Sequence, residues 1–129
     1  MLYLDAASTA ADTDWIVKLS DVDPAGQVRD LTQGWLRASH RAVDPDRSTE
    51  WRPYHPHDRP AALTPGEPTA FAIEVLSTAH VLYPGHRLRL ALTSCDGDGF
   101  AMQGLSHYPL GSPARNTVLA SSRLLVPLS

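Results

Sequence analysis

Apolar and polar residues alternate in short runs along this chain, which is the pattern of strands that bury one face. The alternation begins at Leu2 to Leu4 and becomes regular after Asp14, where Trp15, Val17 and Leu19 share one face. No segment keeps the i, i+3, i+4, i+7 spacing of an amphipathic helix over a useful length. The pattern therefore predicts strands, and the chain begins inside one of them.

A tight turn is predicted between the first regular strand and the next. Asp23 to Gly26 has the sequence DPAG, with proline and glycine where such a turn needs them. A second run follows from Val28 to His40, with Leu31 and Trp35 on one face. The two runs are predicted to form a hairpin. Gly34 inside the second strand predicts a bulge or a close backbone approach.

A long loop is predicted from Asp44 to Pro68, where proline, charge and histidine dominate. Proline has no N–H donor and fixes its own φ, so this stretch cannot be a central strand or a helix interior. Loops of this length are usually functional or held in place by packing. Trp51 and Tyr54 are predicted to hold this one.

Strands return after the long loop. Thr69 to Ser77 alternates again, and Tyr83 to His86 predicts a tight turn. Asp96 to Pro113 is glycine-rich and predicts a second long loop, and Asn116 to Leu119 and Arg123 to Leu128 predict the closing strands. The side chains predicted to point inward are Phe71, Ile73, Val75, Leu88, Leu90 and Leu92.

Short strands with proline and glycine turns and two long crossings predict an all-β fold, a β-sandwich of Greek-key or jelly-roll type. The length of 129 residues fits a single domain over residues 1–129. A net charge of −3 gives no reason to expect nucleic acid or an anionic membrane as partner. Without a basic, apolar leader sequence, a cytoplasmic location is expected.

Catalytic and metal-binding motifs are weak in this sequence. The Gly-x-Ser-x-Gly string of a nucleophile elbow is absent, and Ser106-His107 near Asp96 does not make a triad without geometry. His55 and His57, next to Asp58, could share one ion, but two imidazoles are too few for a metal site. Alternatives for these histidines are hydrogen bonds to the backbone or a place on a docking surface.

Several phrases stand in an order that resembles a known family. They are DTDWIVKLSDV from Asp12, LTQGWLRA from Leu31, LTPGEP from Leu63, STAHVLYPGHRLRL from Ser77 and NTV from Asn116. This order resembles the C-terminal domain of X-Pro dipeptidyl-peptidases and of the related cocaine-esterase-like serine hydrolases.

The resemblance implies a jelly-roll with galactose-binding-like topology, packed against an α/β-hydrolase domain that carries the Ser-His-Asp machinery. It implies no catalytic residue in this chain, and it favours a non-catalytic domain that docks on a dipeptidyl-peptidase or ester hydrolase. No cofactor is predicted, and self-association is left open. Unaided hydrolysis is the least favoured alternative.

The predicted contact with the hydrolase domain or a ligand involves two loops. Aromatic side chains and arginines of the kind common at interfaces lie in the first loop. The predicted contact residues are Trp51, Arg52, Tyr54, His55, His57, Arg59, Asp96, Phe100 and His107.

The alternative function is a stand-alone carbohydrate- or ligand-binding jelly-roll. Sugar sites need an exposed aromatic side chain, and the alternation places Trp15 and Trp35 toward the core. Trp51 is therefore the candidate aromatic residue for that function.

Overall fold

The structure is a computed structural model that describes residues 1–94 and 113–127. Two antiparallel sheets make up its regular structure, which confirms the predicted all-β sandwich. Apart from a 3₁₀ turn at Ala38–His40, the described residues form no helix, and none of them forms one that could cross a membrane. The strands are β1 Leu2–Ser8, β2 Asp14–Val22, β3 Val28–Arg37, β4 Thr69–Ile73, β5 Arg87–Thr93, β6 Asn116–Val118 and β7 Arg123–Leu124.

The first sheet is built around β1. Its residues alternate between buried and half-buried positions, as the period-2 pattern of its sequence requires. β4 pairs with one edge, with Leu4 opposite Phe71. β6 and β7 share the other edge, with Ala6 opposite Val118 and Leu2 opposite Leu124. β1 therefore joins the chain's beginning to its last strands.

The second sheet has the order β3-β2-β5. The predicted hairpin of β2 and β3 is confirmed, and its turn is closed by a hydrogen bond from the Gly26 N–H to the Asp23 carbonyl, 3.0 Å long. Gly26 has φ +84°, a conformation that glycine adopts without a steric cost. The sequence DPAG thus fixes the hairpin.

The core lies between the two sheets where β2 begins. The indole of Trp15 packs against the ring of Phe71, with 5.5 Å between ring centroids. Burial of each large apolar side chain is worth about 1.5–3 kcal/mol, so this cluster is the main source of stability. Its members are Leu2, Leu4, Ala6, Trp15, Val17, Leu36, Ala38, Leu63, Phe71 and Ile73.

Gly34 lies where the two sheets meet at one edge. A Cβ atom on this residue would lie 1.9 Å from the carbonyl oxygen of Glu74, the residue that follows β4. Next to it, the Leu76 N–H donates to the Gln33 carbonyl over 3.0 Å. The predicted close backbone approach is confirmed. A register shift lies nearby, where Leu31 is the extra residue of β3.

The prediction that Trp35 points into the core is wrong. Trp35 pairs with Ile16, while Gly34 pairs with Val17 and Leu36 with Trp15, so Gly34 and Leu36 occupy the core face of β3. Trp35 lies half-buried on the opposite face. Because Gly34 has no side chain, it left no apolar signal that could mark the inner face.

The prediction that Leu88 and Leu90 are core residues is also wrong. They are 38% and 41% exposed, whereas Leu92 packs against the core. The core meets β2 at Trp15 and Val17, and Leu92 of β5 pairs with Val17 and so lies on the core face there. The other two leucines lie beyond the core along the same face.

Asp21 is a charged residue that is buried in the second sheet. Only 5% of its surface is exposed, because two histidine side chains cover and hydrogen-bond its carboxylate. A buried carboxylate is tolerated where such partners replace water.

Several of the predicted strands are longer than the observed ones. β3 ends at Arg37, where the chain turns into the 3₁₀ turn and the Ala38 N–H donates to the Thr13 carbonyl over 2.8 Å. β4 ends at Ile73, and β7 is only two residues long. The predicted long loop after Asp44 is confirmed as a stretch without helix or strand. Residues 95–112 of the second loop lie outside the described residues, and the jelly-roll connectivity stays a prediction.

Replacing Gly34 with alanine is expected to lower the free energy of unfolding by about 3 kcal/mol, because the methyl group would overlap a backbone carbonyl that cannot rotate away. Gly66→Ala is the matched control, since its Cβ would meet open space and only the positive φ of +82° opposes it. Its expected cost is about 1 kcal/mol. Urea denaturation measures both, and equal costs would show that the close approach does not constrain the fold.

Candidate functional site

The first predicted contact loop is fixed by its own hydrogen bonds. The Asp44 N–H donates to the Tyr54 carbonyl over 2.9 Å, and the Tyr54 N–H donates to Ser48 Oγ over 2.9 Å. The guanidinium of Arg47 lies 3.5 Å from the centroid of the Tyr54 ring, a cation–π contact. Tyr54 therefore holds the loop as predicted. Trp51 does not, because it is 43% exposed.

His55 joins the loop to β4. Its Nδ1 lies 2.9 Å from the Ala42 carbonyl oxygen and its Nε2 lies 3.0 Å from the Ala72 carbonyl oxygen. Only an imidazolium, with two N–H groups, can donate to both carbonyls at once; the neutral ring can serve one. His55 thus hydrogen-bonds to the backbone, but to carbonyls on either side of the predicted loop rather than within it.

His57 marks a sharp change of direction in the loop. Its φ of +58° lies in the left-handed region, which is uncommon for a residue other than glycine. Its ring lies 5.2 Å from that of His40 and 6.0 Å from that of His55, measured between centroids. With both nitrogens of His55 facing carbonyls, the three rings do not form a ligand set. In the described parts of the chain, no group of three or more His, Cys, Asp or Glu side chains is placed to hold a metal ion.

A cleft of about 440 Å³ separates this loop from the start of β2 and the end of β3. Four predicted contact residues lie on its wall, whereas Trp51 and Arg59 lie outside it. Its lining residues are Asp14, Trp15, Ile16, Trp35, Leu36, Arg37, Arg52, Pro53, Tyr54, His55, His57 and Glu74.

Sequence reasoning missed the charged residues of the cleft that come from the strands. Asp14, Arg37 and Glu74 are distant in the sequence and meet only because β2, β3 and the end of β4 converge. Glu74 Oε1 lies 3.6 Å from Nε of Arg52, a pair exposed enough to contribute little to stability. No local sequence motif predicts that these three charged residues lie in one cleft.

Asp12 holds the cleft residue Arg37 in place. Its carboxylate accepts hydrogen bonds from the Ser39 N–H, from Ser39 Oγ and from Arg37 Nε, at 2.8, 2.8 and 2.7 Å. Burial raises the pKa of Asp12, but the hydrogen bonds from Ser39 and Arg37 outweigh it and hold the pKa below its ordinary value of 3.8. Asp12 thereby ties the end of β3 and the 3₁₀ turn to the chain just before β2.

The predicted contact residues of the second loop cannot be placed relative to this cleft. Asp96, Phe100 and His107 lie outside the described residues. Their role stays a prediction.

The described residues thus form a β-sandwich with a cleft between its first long loop and the strands β2 and β3. Residues 1–121 match the family model described as the X-Pro dipeptidyl-peptidase C-terminal non-catalytic domain. The chain belongs to this family, which confirms the resemblance inferred from its motifs.

Two named proteins with similar sequences support this family membership. A Mycobacterium tuberculosis protein named as a serine esterase is 37% identical over 107 residues, which is 79% of this chain and 17% of that protein. Cocaine esterase of a Rhodococcus species is 32% identical over 91 residues, 70% of this chain and 14% of the esterase. The chain therefore spans less than a fifth of the length of these relatives.

A solved structure has a fold similar to that of this chain. A CocE/NonD family hydrolase from Staphylococcus aureus superposes with a TM-score of 0.70 and 25% sequence identity. The superposition covers 74% of this chain and 19% of the hydrolase. The sandwich described above is thus similar to one part of a larger hydrolase.

Replacing Asp12 with asparagine is expected to lower the free energy of unfolding at pH 7 by about 2 kcal/mol, because charge-assisted hydrogen bonds become neutral ones. Asp58→Asn is the matched control, since that carboxylate is exposed and lies 3.7 Å from its neighbour Arg59. The control is expected to change stability by less than about 0.5 kcal/mol. Similar losses in both variants, measured by urea denaturation, would contradict an anchoring role for Asp12.

Stability is expected to fall on acidification. Asp12, Asp21 and Asp30 all have a lowered pKa in the folded chain. Groups of this kind contribute stability above the ordinary pKa near 4, and the contribution disappears as the pH falls through the lower, folded value. Thermal midpoints measured from pH 7 to pH 2 should drop below about pH 4. The drop should be shallower in Asp12→Asn, and an unchanged slope in that variant would contradict this account.

Proposed function

We propose that this chain docks on the catalytic domain of a hydrolase and supports its fold without taking part in the chemistry. The observation that carries this proposal is the match of residues 1–121 to a domain defined as non-catalytic. The mycobacterial relative has about four-fifths of its length outside the matched segment, since the match covers 17% of it. That remainder has room for a separate catalytic domain.

The chemistry of the described residues supports a non-catalytic role. The sequence has no nucleophile elbow. Among the described residues, the carboxylate of Asp21 accepts hydrogen bonds from His80 and His86, and no hydrogen bond joins either ring to a serine, threonine or cysteine. An acid–base pair without a nucleophile does not make a hydrolase.

The loop from Trp51 to Arg59 is the proposed contact beside the cleft. Trp51 offers an exposed aromatic side chain and Arg59 an exposed guanidinium, and both residue types are enriched where protein surfaces meet. Because Tyr54 and His55 fix the loop, little ordering is needed on docking.

The whole protein's activity is proposed to be hydrolysis of an acyl ester or of an X-Pro peptide. The esterase names among the relatives favour the ester. The family match supports the docking function rather than a stand-alone carbohydrate-binding module. A cytoplasmic location and self-association stay predictions.

A segment exchange tests the docking function. In the mycobacterial esterase, the 107-residue segment that matches this chain is replaced by this chain's counterpart, and the deletion of that segment is the control. The chimera is expected to be soluble and to hydrolyse p-nitrophenyl acetate at a rate within about tenfold of the parent's, which corresponds to a loss of at most about 1.4 kcal/mol in transition-state stabilisation. The deletion is expected to be insoluble or inactive.

Two outcomes would contradict the proposal. One is full activity and stability of the deletion protein. The other is ester hydrolysis by the isolated chain that a serine-directed inhibitor abolishes.

Trp51→Ala tests the proposed contact loop. Because Trp51 is exposed, the isolated chain should unfold at the same urea concentration with or without the substitution. In the chimera, loss of a buried interface aromatic is expected to cost about 2 kcal/mol and to lower the thermal midpoint of activity. An unchanged midpoint in the chimera would remove Trp51 from the interface.

A further inference from the structure

One end of the second sheet presents apolar side chains on a face that a sandwich would bury. Leu90 pairs with Leu19, and Leu88 with Asp21, so they follow Leu92 along the core face of β5. They are nevertheless 41% and 38% exposed. Leucines alternating on the inner face of an edge strand are unfavourable in water unless something else covers them.

The segment between β4 and β5 crosses this end of the sheet. It is held at the β3 edge, where the Thr32 hydroxyl donates to the Leu76 carbonyl over 2.7 Å. It ends in the predicted tight turn, where the His86 N–H donates to the Tyr83 carbonyl over 3.0 Å. Together with the two leucines, its apolar side chains form the β5 patch, which consists of Leu76 (49% exposed), Val81 (66%), Leu82 (46%), Tyr83 (61%), Leu88 (38%) and Leu90 (41%).

The crossing segment is tied to the sheet on both sides of its apolar tip. Asp21 Oδ2 accepts a hydrogen bond from His80 Nε2 at 2.9 Å, and Asp21 Oδ1 accepts one from His86 Nδ1 at 2.9 Å. The hydrogen bond from His80 is the main reason that the pKa of Asp21 lies below its usual value. Residues 81–83 are thereby held in one place while their side chains face solvent, which lowers the entropy cost of binding a partner.

One basic side chain lies on the same face as the patch. Arg29 pairs with Asp21 and therefore shares the face of Leu88, whereas Arg87 and Arg89 alternate with the leucines and point to the opposite face of β5. Arg29 is exposed. A matching partner surface is therefore apolar, with an acidic residue where it meets Arg29.

The patch and the cleft lie at opposite ends of β2. Asp14 lines the cleft and Asp21 holds the patch, and seven residues of strand separate them by about 23 Å. A partner that contacts both must be as large as a domain. Six side chains are also fewer than the 20–30 residues per side of a typical stable interface, so the patch fits a partner that is covalently attached better than a second copy.

We propose that the β5 patch is a second docking surface for the catalytic domain of the same hydrolase, which covers it with an apolar surface that has an acidic residue opposite Arg29. This inference rests on the proposed function and adds the place and chemistry of the contact.

Cysteine labelling of the chimera described above tests this surface directly. Val81→Cys is introduced with Cys95→Ser, in the chimera and in the isolated chain, and maleimide labelling of the peptide containing residue 81 is followed by mass spectrometry. The thiol is expected to react at least tenfold more slowly in the chimera. Val118→Cys is the matched control: that side chain is 52% exposed on β6 of the other sheet, and its labelling rate is expected to agree within twofold between the two proteins.

Equal labelling of residue 81 in both proteins would overturn the inference. Protection that already appears in the isolated chain and grows with its concentration would also overturn it, because a second copy would then be the occupant. Failure of the proposed function is a separate observation, namely an active deletion protein, and the labelling result is obtained whether or not a soluble chimera is active.

Discussion

The packing of Trp15 against Phe71 is the contact on which the two sheets depend. One ring comes from the centre of the second sheet and the other from the edge of the first, so their contact holds the sandwich together. Backbone hydrogen bonds fix each sheet internally, whereas side-chain packing, the approach at Gly34 and the hydrogen bond from the Leu76 N–H to the Gln33 carbonyl connect the two sheets. The cleft lies directly beside this contact, which gives its wall a rigid support.

The strands could be predicted because their apolar pattern is local. β1, β2 and the hairpin turn follow from alternation and from the sequence DPAG alone. The errors arose where burial is decided by residues far away in the chain. Trp35 and Leu90 have the same local pattern as true core residues, and only the position of the first sheet over β2 shows which leucines it covers.

The residues of the cleft could likewise be predicted only where the signal is local in the sequence. The composition of the first loop predicted four of the residues that line the cleft, namely Arg52, Tyr54, His55 and His57. Their partners on the strands have no sequence signal, since convergence of β2, β3 and β4 is a property of topology. Asp21 is the clearest example of what the sequence does not predict. It is buried by His80 and His86, which are far from it in the sequence.

The hydrogen bond from His55 to the Ala72 carbonyl has a consequence for solubility. Ala72 lies on β4, an outer strand of the first sheet, and an unpaired strand edge is a template for intermolecular pairing and aggregation. A side chain occupies that carbonyl here, and the prolines on either side of His55, Pro53 and Pro56, have no N–H group to offer to an incoming strand. The proline-rich loop therefore also blocks growth of the sheet from this edge.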